Sequence, residues 1–246
     1  MSKKSALGQE KAKEQEKRQQ RHLRTATKEA LDKLEAVQLE LQAAFRLKNH
    51  RKEAFTIIPL PPTGGGEATA FAIASDWHIE EAVNPDDING LNEYNLDISK
   101  KRSVMFFERA LHLTNIERHN TPIKTLVIGL LGDFITGRIH EENLETCLLR
   151  PVDASIRVQK YIKSGIDFLL KESDLNLVFV CVAGNHSRIT KKVHSATESG
   201  NSLETFVYQS LAQLYEDEPR VKFQIGTSYH AYLKCYDTMI RFHHGH

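Results

Sequence analysis

Four short runs along this chain combine residue types that bind divalent metal ions. They occupy positions 75–78, 131–133, 183–186 and 243–246, and each follows an apolar segment. A buried strand that stops at a polar residue leaves that side chain at the carboxyl edge of the sheet, where α/β folds place their ligands. Carboxylates and imidazoles gathered at one edge can hold two metal ions. The four runs therefore indicate a two-metal site suited to phosphoester chemistry.

The first three runs offer different donors. Asp76 and His78 are two positions apart, so on an extended strand both side chains would project to the same side and grip one ion. Asp133 follows a glycine, and its carboxylate oxygens can bridge two cations about 3.5–4 Å apart. Asn185 offers a neutral oxygen that preserves the charge of a metal. The adjacent His186 could donate a proton to a leaving oxygen or hold the phosphoryl group.

The segments between these runs predict the elements that position them. Strands are expected at 68–75, 125–131 and 175–182, with helices at 99–119 and 152–171. The continuous apolar strands and the βαβαβ order predict an α/β fold with a largely parallel sheet flanked by helices. Later elements are expected at 203–215 (helix), 221–225, 231–235 and 239–243 (strands). The burial candidates of the first helix are Val104, Phe106, Phe107, Ala110, Leu111 and Leu113.

Charge is distributed unevenly along the chain. Residues 1–53 hold 14 basic and 8 acidic residues (net +6), whereas residues 54–246 have a net charge of −5. The stretch 9–47 lacks proline and glycine, which predicts one long helix. Its narrow apolar seam, 30–44, could pack on the body or mediate self-association. The basic charge fits a DNA or RNA partner, or simply a solvated helix face.

Prolines and glycines at 59–66 predict a linker at 54–67 between the basic helical arm, 1–53, and the α/β domain, 68–246. The cysteines Cys147, Cys181 and Cys235 show no zinc-binding spacing. No targeting segment and no run of roughly 18 apolar residues occurs. These features predict a cytoplasmic protein without a membrane partner.

The order Asp-x-His, Gly-Asp, Gly-Asn-His and His-Gly-His, from Asp76 to His246, resembles the calcineurin-like metallophosphoesterase superfamily. The segments 92–95 and 132–140 are similar to phage-type members. The resemblance implies a layered sheet or sheets flanked by helices. It also implies hydrolysis of phosphoester bonds with two divalent metal ions, Mn²⁺ or alternatively Mg²⁺, Fe²⁺ or Zn²⁺.

The resemblance also implies roles for individual residues. His186 would be the catalytic histidine, and a hydroxide held between the metals would attack phosphorus in line. Asp133 would bridge both metal ions. The full set of implied metal ligands is Asp76 and His78 for the first ion, Asp133 for both, and Asn185 and His244 for the second. Candidate contacts to the substrate phosphate are Arg138, His140 and Arg188.

Two departures from the superfamily pattern leave alternatives open. The superfamily completes its site with a Gly-His-x-His run after the position of His244, so the sequence is expected to be a fragment of a longer product or a shortened form with a weakened site. Asp133 lacks the Asp-Arg-Gly continuation of protein phosphatases, and Ser187 stands where many relatives carry an acid. Hydrolysis of nucleic-acid phosphodiesters is the first expectation. The alternatives are a phosphomonoesterase acting on small molecules or phosphoproteins, and a non-catalytic interaction module.

Overall fold

The computed structural model describes residues 28, 56–57, 66–139, 143–190 and 198–245. The predicted arm, 1–53, lies outside these residues apart from Lys28. The described strands are β1 (Thr56–Ile57), β2 (Ala68–Ala74), β3 (Ile123–Leu130), β4 (Asn176–Cys181), β5 (Val221–Ile225), β6 (His230–Cys235) and β7 (Thr238–His243). The described α-helices are α1 (Leu96–Glu117), α2 (Asn143–Thr146), α3 (Pro151–Glu172) and α4 (Leu203–Leu214).

Four strands form a parallel sheet in the order β2-β3-β4-β5. The two central strands are mostly buried, as their continuous apolar sequences require. The register places Ala74 of β2 beside Leu130 of β3, and Leu130 beside Cys181 of β4. These three strands therefore end at the same level, and the loops that follow them start from one edge of the sheet.

Three helices cover one face of this sheet. Phe107 of α1, Ile162 of α3 and Leu211 of α4 belong to one buried apolar cluster, which also includes Ile128 and Phe179 of the central strands. This arrangement confirms the predicted α/β class, a parallel sheet flanked by helices. None of the described helices combines the length and the apolar character needed to cross a membrane.

A second sheet, in the order β1-β6-β7, packs against the other face. Strand β1 runs parallel to β6, and β6 runs antiparallel to β7. Leu233 and Phe242 of the second sheet share a buried cluster with Val127 and Val180 of the first. Gly129 lies against this contact, and an added Cβ there would be 3.4 Å from the Phe242 ring, an ordinary van der Waals distance. The predicted linker segment, 54–67, thus contributes the short strand β1 to this sheet.

Helix α1 differs from the sequence prediction at its start and on its buried face. It begins at Leu96 rather than near position 99, because the Asn95 side chain caps it by accepting the N–H groups of residues 97 and 98. Val104 and Leu113 were expected to be buried but are 44% and 60% exposed. The buried positions instead include Ser103 and Thr114, whose hydroxyls donate to carbonyls one turn earlier.

Candidate metal centre

The loops after β2, β3 and β4 meet at the carboxyl edge of the parallel sheet. The N–H of Asp76 donates to the carbonyl of Gly132 (3.0 Å), and the N–H of His78 donates to the carbonyl of Asp133 (3.1 Å). The second loop lies so close to the third that a Cβ on Gly132 would be 2.1 Å from the nitrogen of Gly184. The fold therefore brings three of the predicted metal-binding runs together.

Asp76, His78 and Asp133 form a group that can hold a metal ion. One ligand atom from each of these residues lies within 4.8 Å of the others. Asp133 is buried, His78 is half-buried and Asp76 is exposed, so the group is open to solvent on one side. A set of carboxylate and imidazole donors suits divalent transition metals such as Mn²⁺, Fe²⁺ and Zn²⁺.

Asp76 and His78 converge through a different backbone geometry from the expected extended strand. Strand β2 ends at Ala74, and φ is 55° at Asp76, 42° at His78 and 52° at Asp133. Left-handed conformations at residues other than glycine cost on the order of 1–3 kcal/mol each and are common at functional sites. Left-handed turns in the loops bring these side chains together, and the alternating side-chain directions of an extended strand play no part.

His244, just beyond β7, binds the same carboxylate. Its Nε2 lies 2.8 Å from Oδ2 of Asp133, and its Nδ1 donates to the carbonyl of Leu131 (2.6 Å). The hydrogen bond to Asp133 raises the pKa of His244 to about 9. Burial opposes ionisation of Asp133, but hydrogen bonds from His244 and from the N–H of His186 outweigh it and lower the pKa of the carboxyl. Without a metal ion, the two side chains therefore form an ion pair.

His186 contacts Oδ1, the second carboxylate oxygen of Asp133. Its backbone N–H donates to Oδ1 of Asp133 (2.9 Å), and its Nδ1 donates to the carbonyl of Thr136 (2.9 Å). The His78 ring lies edge-on to the His186 ring, with 4.9 Å between centroids, and its Nδ1 lies 3.0 Å from the Thr136 hydroxyl. Burial lowers the pKa of His78, which favours the neutral form that binds metals. Thr136 thus orients both rings through Nδ1.

The other predicted site residues occupy less defined positions. Asn185 is half-buried in the loop after β4, next to His186, and its backbone carbonyl accepts a hydrogen bond from Arg188 Nη1 (2.7 Å). Arg188 Nε donates to the carbonyl of residue 190 (3.2 Å), so this guanidinium braces its own loop. Arg138 is exposed, in the segment that connects β3 to α2. His140 lies outside the described residues. The ligand role of Asn185 and the substrate contacts of these residues stay predictions.

A buried carboxylate that the sequence did not indicate joins two of the loops. Glu204, in the first turn of α4, is 1% exposed. Its Oε1 accepts the N–H of Phe134 (2.6 Å) and its Oε2 accepts the N–H of Gly184 (2.9 Å). Burial raises the pKa of Glu204 to about 7, although these N–H groups oppose the shift. In the sequence, Glu204 resembles an ordinary acidic residue at a helix N-terminus.

A second buried carboxylate braces the loop after β3. Glu80 is 1% exposed, and its Oε1 accepts the N–H groups of Thr136 (2.8 Å) and Gly137 (3.1 Å). Burial raises the pKa of Glu80 despite these two bonds. The sequence placed this residue in a polar loop and gave no sign of its partners, which lie more than fifty positions away.

Trp77 packs beneath the site. Its ring lies edge-on to Phe134, with 4.8 Å between centroids, and it also contacts Phe106 and Phe107. The sequence interpretation that Trp77 packs beside the ligands agrees with these contacts. The aromatic cluster gives the loop between Asp76 and His78 a fixed base.

The assembled centre combines metal-binding side chains, oriented imidazoles and buried carboxylates at one sheet edge. Comparison with known protein families, with curated proteins and with solved structures gives no match for this chain. The resemblance to a superfamily therefore stays a prediction, and the geometry of the site is what indicates a function.

Proposed function

We propose that this chain is a metal-dependent phosphoesterase whose two divalent metal ions bind at the carboxyl edge of the parallel sheet. The observation that carries the proposal is the convergence on Asp133. Asp76 and His78 offer ligand atoms within 4.8 Å of this carboxylate, while His244 and His186 contact its two oxygens. These residues come from three loops and from the end of β7, so their convergence is a property of the whole fold.

The donor atoms fit the proposed metal ions. Asp76 and His78 would hold the first ion, Asn185 and His244 the second, and Asp133 would be shared. The Nδ1 atom of His244 donates to the Leu131 carbonyl, which leaves Nε2 as the ligand atom once its proton is lost. When bound, two divalent ions supply Lewis acidity toward phosphoryl oxygens and lower the pKa of water. Mn²⁺ is the first candidate, and Mg²⁺, Fe²⁺ and Zn²⁺ are the alternatives.

His186 is the proposed general acid. Its Nδ1–H is held by the carbonyl of Thr136, which fixes the orientation of the ring, and Nε2 is the nitrogen proposed to act on the substrate. In the imidazolium form, Nε2–H can donate its proton to the leaving oxygen as the phosphoester bond breaks. Its backbone N–H meanwhile orients the Asp133 carboxylate.

A metal titration combined with a hydrolysis assay tests the proposal. The chelator-treated protein is expected to bind Mn²⁺ and to hydrolyse bis(p-nitrophenyl) phosphate only when Mn²⁺ is added. Asp133→Asn is expected to remove both properties. Lys124→Gln, a change to an exposed side chain in β3 away from the loops, is the matched control and is expected to retain both. A parent protein that binds no Mn²⁺ would overturn the proposal, and binding without hydrolysis would favour a non-catalytic module.

Nucleic-acid phosphodiesters are the proposed substrate class. The support is the net charge of +6 on residues 1–53, which suits a polyanionic partner. The alternative is a phosphomonoesterase acting on small molecules or phosphoproteins. Rates on bis(p-nitrophenyl) phosphate and on p-nitrophenyl phosphate distinguish them, because a preference for the monoester would contradict the phosphodiesterase assignment.

A further inference from the structure

The two oxygens of Glu204 bind two different loops of the proposed metal site. Oε1 accepts the N–H of Phe134, next to Asp133, and Oε2 accepts the N–H of Gly184, next to Asn185. The carboxylate lies in the interior of the protein, where no bulk water can replace either bond. Loss of one acceptor would leave a buried N–H group unsatisfied.

The start of α4 fixes the position of Glu204. The N–H of Leu203 donates to the carbonyl of Ser187 (2.9 Å), and the Ser187 and Ser202 hydroxyls lie 2.8 Å apart. The Ser202 side chain also caps the helix by accepting the N–H of Thr205 (3.3 Å). The carboxylate therefore reaches the two loops from a helix end that is itself anchored to the loop after β4.

The distance between the two loops leaves little freedom. A Cβ on Gly184 would lie 2.4 Å from the backbone nitrogen of Asp133 and 2.0 Å from its Oδ1, so the two loops are in direct contact at this point. The same oxygen of Asp133 accepts the N–H of His186. A small separation of the loops would move the Asp133 carboxylate relative to both Asn185 and His186.

We propose that Glu204 is a positioning residue, which joins the loops after β3 and β4 and thereby sets the placement of Asp133 relative to Asn185 and His186. The inference rests on the proposed function, because it concerns the same metal site. Outer residues that orient metal ligands typically change metal affinity by about 10–100-fold when they are replaced. Glu204 acts on the ligands through backbone N–H groups, without contacting a metal ion or substrate.

The geometry distinguishes a carboxylate from an amide at this position. Glu204 serves two N–H donors with two separate oxygens, so Glu204→Gln retains one acceptor and directs an NH₂ group at the other N–H. Asp167 of α3 also uses two separate oxygens, since Oδ1 accepts the hydroxyl of Tyr215 and Oδ2 accepts the ammonium of Lys163. Asp167→Asn makes the same carboxylate-to-amide change outside the metal site, which makes it a chemically matched control.

Mn²⁺ binding, followed by the EPR signal of the free ion, tests the inference. Glu204→Gln is expected to weaken Mn²⁺ binding by about tenfold or more and to alter the EPR spectrum of the bound ion. Asp167→Asn is expected to stay within about twofold of the parent. Leu211→Ala, a buried change on the same helix, controls for a general loss of stability. Parental Mn²⁺ affinity in a folded Glu204→Gln variant would overturn the inference.

Amide hydrogen exchange in the metal-free protein separates this inference from the proposed function. Glu204→Gln is expected to speed amide exchange in 132–136 and 183–187 by about tenfold or more. Leu211→Ala is expected to leave the ratio of exchange rates between these loops and the parallel sheet unchanged. Unchanged exchange would refute the role of Glu204, while failure of the parent to bind Mn²⁺ would refute only the proposed function. If Glu204→Gln does not fold, Glu204→Asp, which keeps the charge with a shorter reach, is measured in the same way.

Discussion

His244 and Asp133 are 111 positions apart in the sequence, yet Nε2 of the histidine lies 2.8 Å from Oδ2 of the carboxylate. The contact joins the end of β7, in the second sheet, to the loop that follows β3 in the parallel sheet. Because the Leu131 carbonyl holds Nδ1, the histidine can turn only one nitrogen toward Asp133. A metal ion that binds there must displace the proton that the two side chains share.

Proton release should therefore accompany metal binding. The pKa of His244 is raised to about 9 in the metal-free protein, so its imidazole is protonated at pH 7. Mn²⁺ binding at Nε2 is expected to release about one proton at pH 7, and affinity is expected to rise as the pH increases toward 9. Calorimetry in buffers of different ionisation enthalpy measures the number of protons. His244→Gln should release fewer protons, whereas His112→Gln, an exposed change on α1, should release as many as the parent.

Metal binding and proton donation can be separated by substitution. Asp133→Asn is expected to weaken Mn²⁺ binding and abolish hydrolysis, because one ligand charge is lost. His186→Ala is expected to lower kcat by about 10²-fold or more and to spare the metal ions, since the backbone N–H that orients Asp133 remains. Metal content and steady-state rates measure both effects. Equal loss of metal in the two variants would contradict the roles assigned here.

The close approach of the loops after β3 and β4 depends on Gly184. Gly184→Ala would place a Cβ 2.4 Å from the backbone nitrogen of Asp133 and 2.0 Å from its Oδ1, so the loops must separate. We expect a loss of roughly 2 kcal/mol or more in the free energy of unfolding, together with weaker Mn²⁺ binding. Denaturant unfolding and metal titration measure these changes. Gly66→Ala, where an added Cβ meets nothing within 4 Å, is the matched control, and an equal effect there would refute the argument.

The positions of the strands followed from the sequence because hydropathy and strand burial report the same property. Leu126 to Leu130 are apolar without alternation, and β3 is covered on both faces. The buried face of α1 could not be predicted from the sequence in the same way. Ser103 and Thr114 occupy it because their hydroxyls are satisfied within the helix, while the apolar Leu113 points outward. Residue type alone does not distinguish these cases.

The sequence predicted the candidate site only at residues whose side-chain type itself indicates metal binding. The grouping of Asp76, His78 and Asp133 could be predicted because strand ends converge and because carboxylates and imidazoles are able to bind metals. Glu80 and Glu204 could not, because their partners are backbone N–H groups of distant loops and no residue type marks those groups. The left-handed backbone that brings Asp76 and His78 to Asp133 was likewise absent from a prediction based on strand alternation.

The basic charge of the N-terminal segment, 1–53, is expected to attract polyanions. Residues 1–53 carry a net charge of +6 and residues 54–246 carry −5, so most attraction to a polyanion should come from the arm. Deletion of 1–53 is expected to weaken DNA or RNA binding and to flatten its dependence on salt, because fewer counterions are released. Binding isotherms over a series of salt concentrations measure both quantities. Mn²⁺-dependent hydrolysis of a small chromogenic phosphoester should persist, since the site residues all lie after position 75.

A charge-neutralised arm of unchanged length separates charge from size. Replacing Lys11, Lys13 and Lys17 with Gln should reduce the slope of log affinity against log salt, by up to about one unit for each phosphate that the arm no longer neutralises. Replacing Lys100 and Lys101, exposed side chains of α1, provides the control and should change the slope less. Nucleic-acid affinity that is unchanged by the deletion and by the neutralised arm would leave packing or self-association as the role of 1–53. It would also remove the charge argument for nucleic-acid phosphodiesters while leaving the metal site untouched.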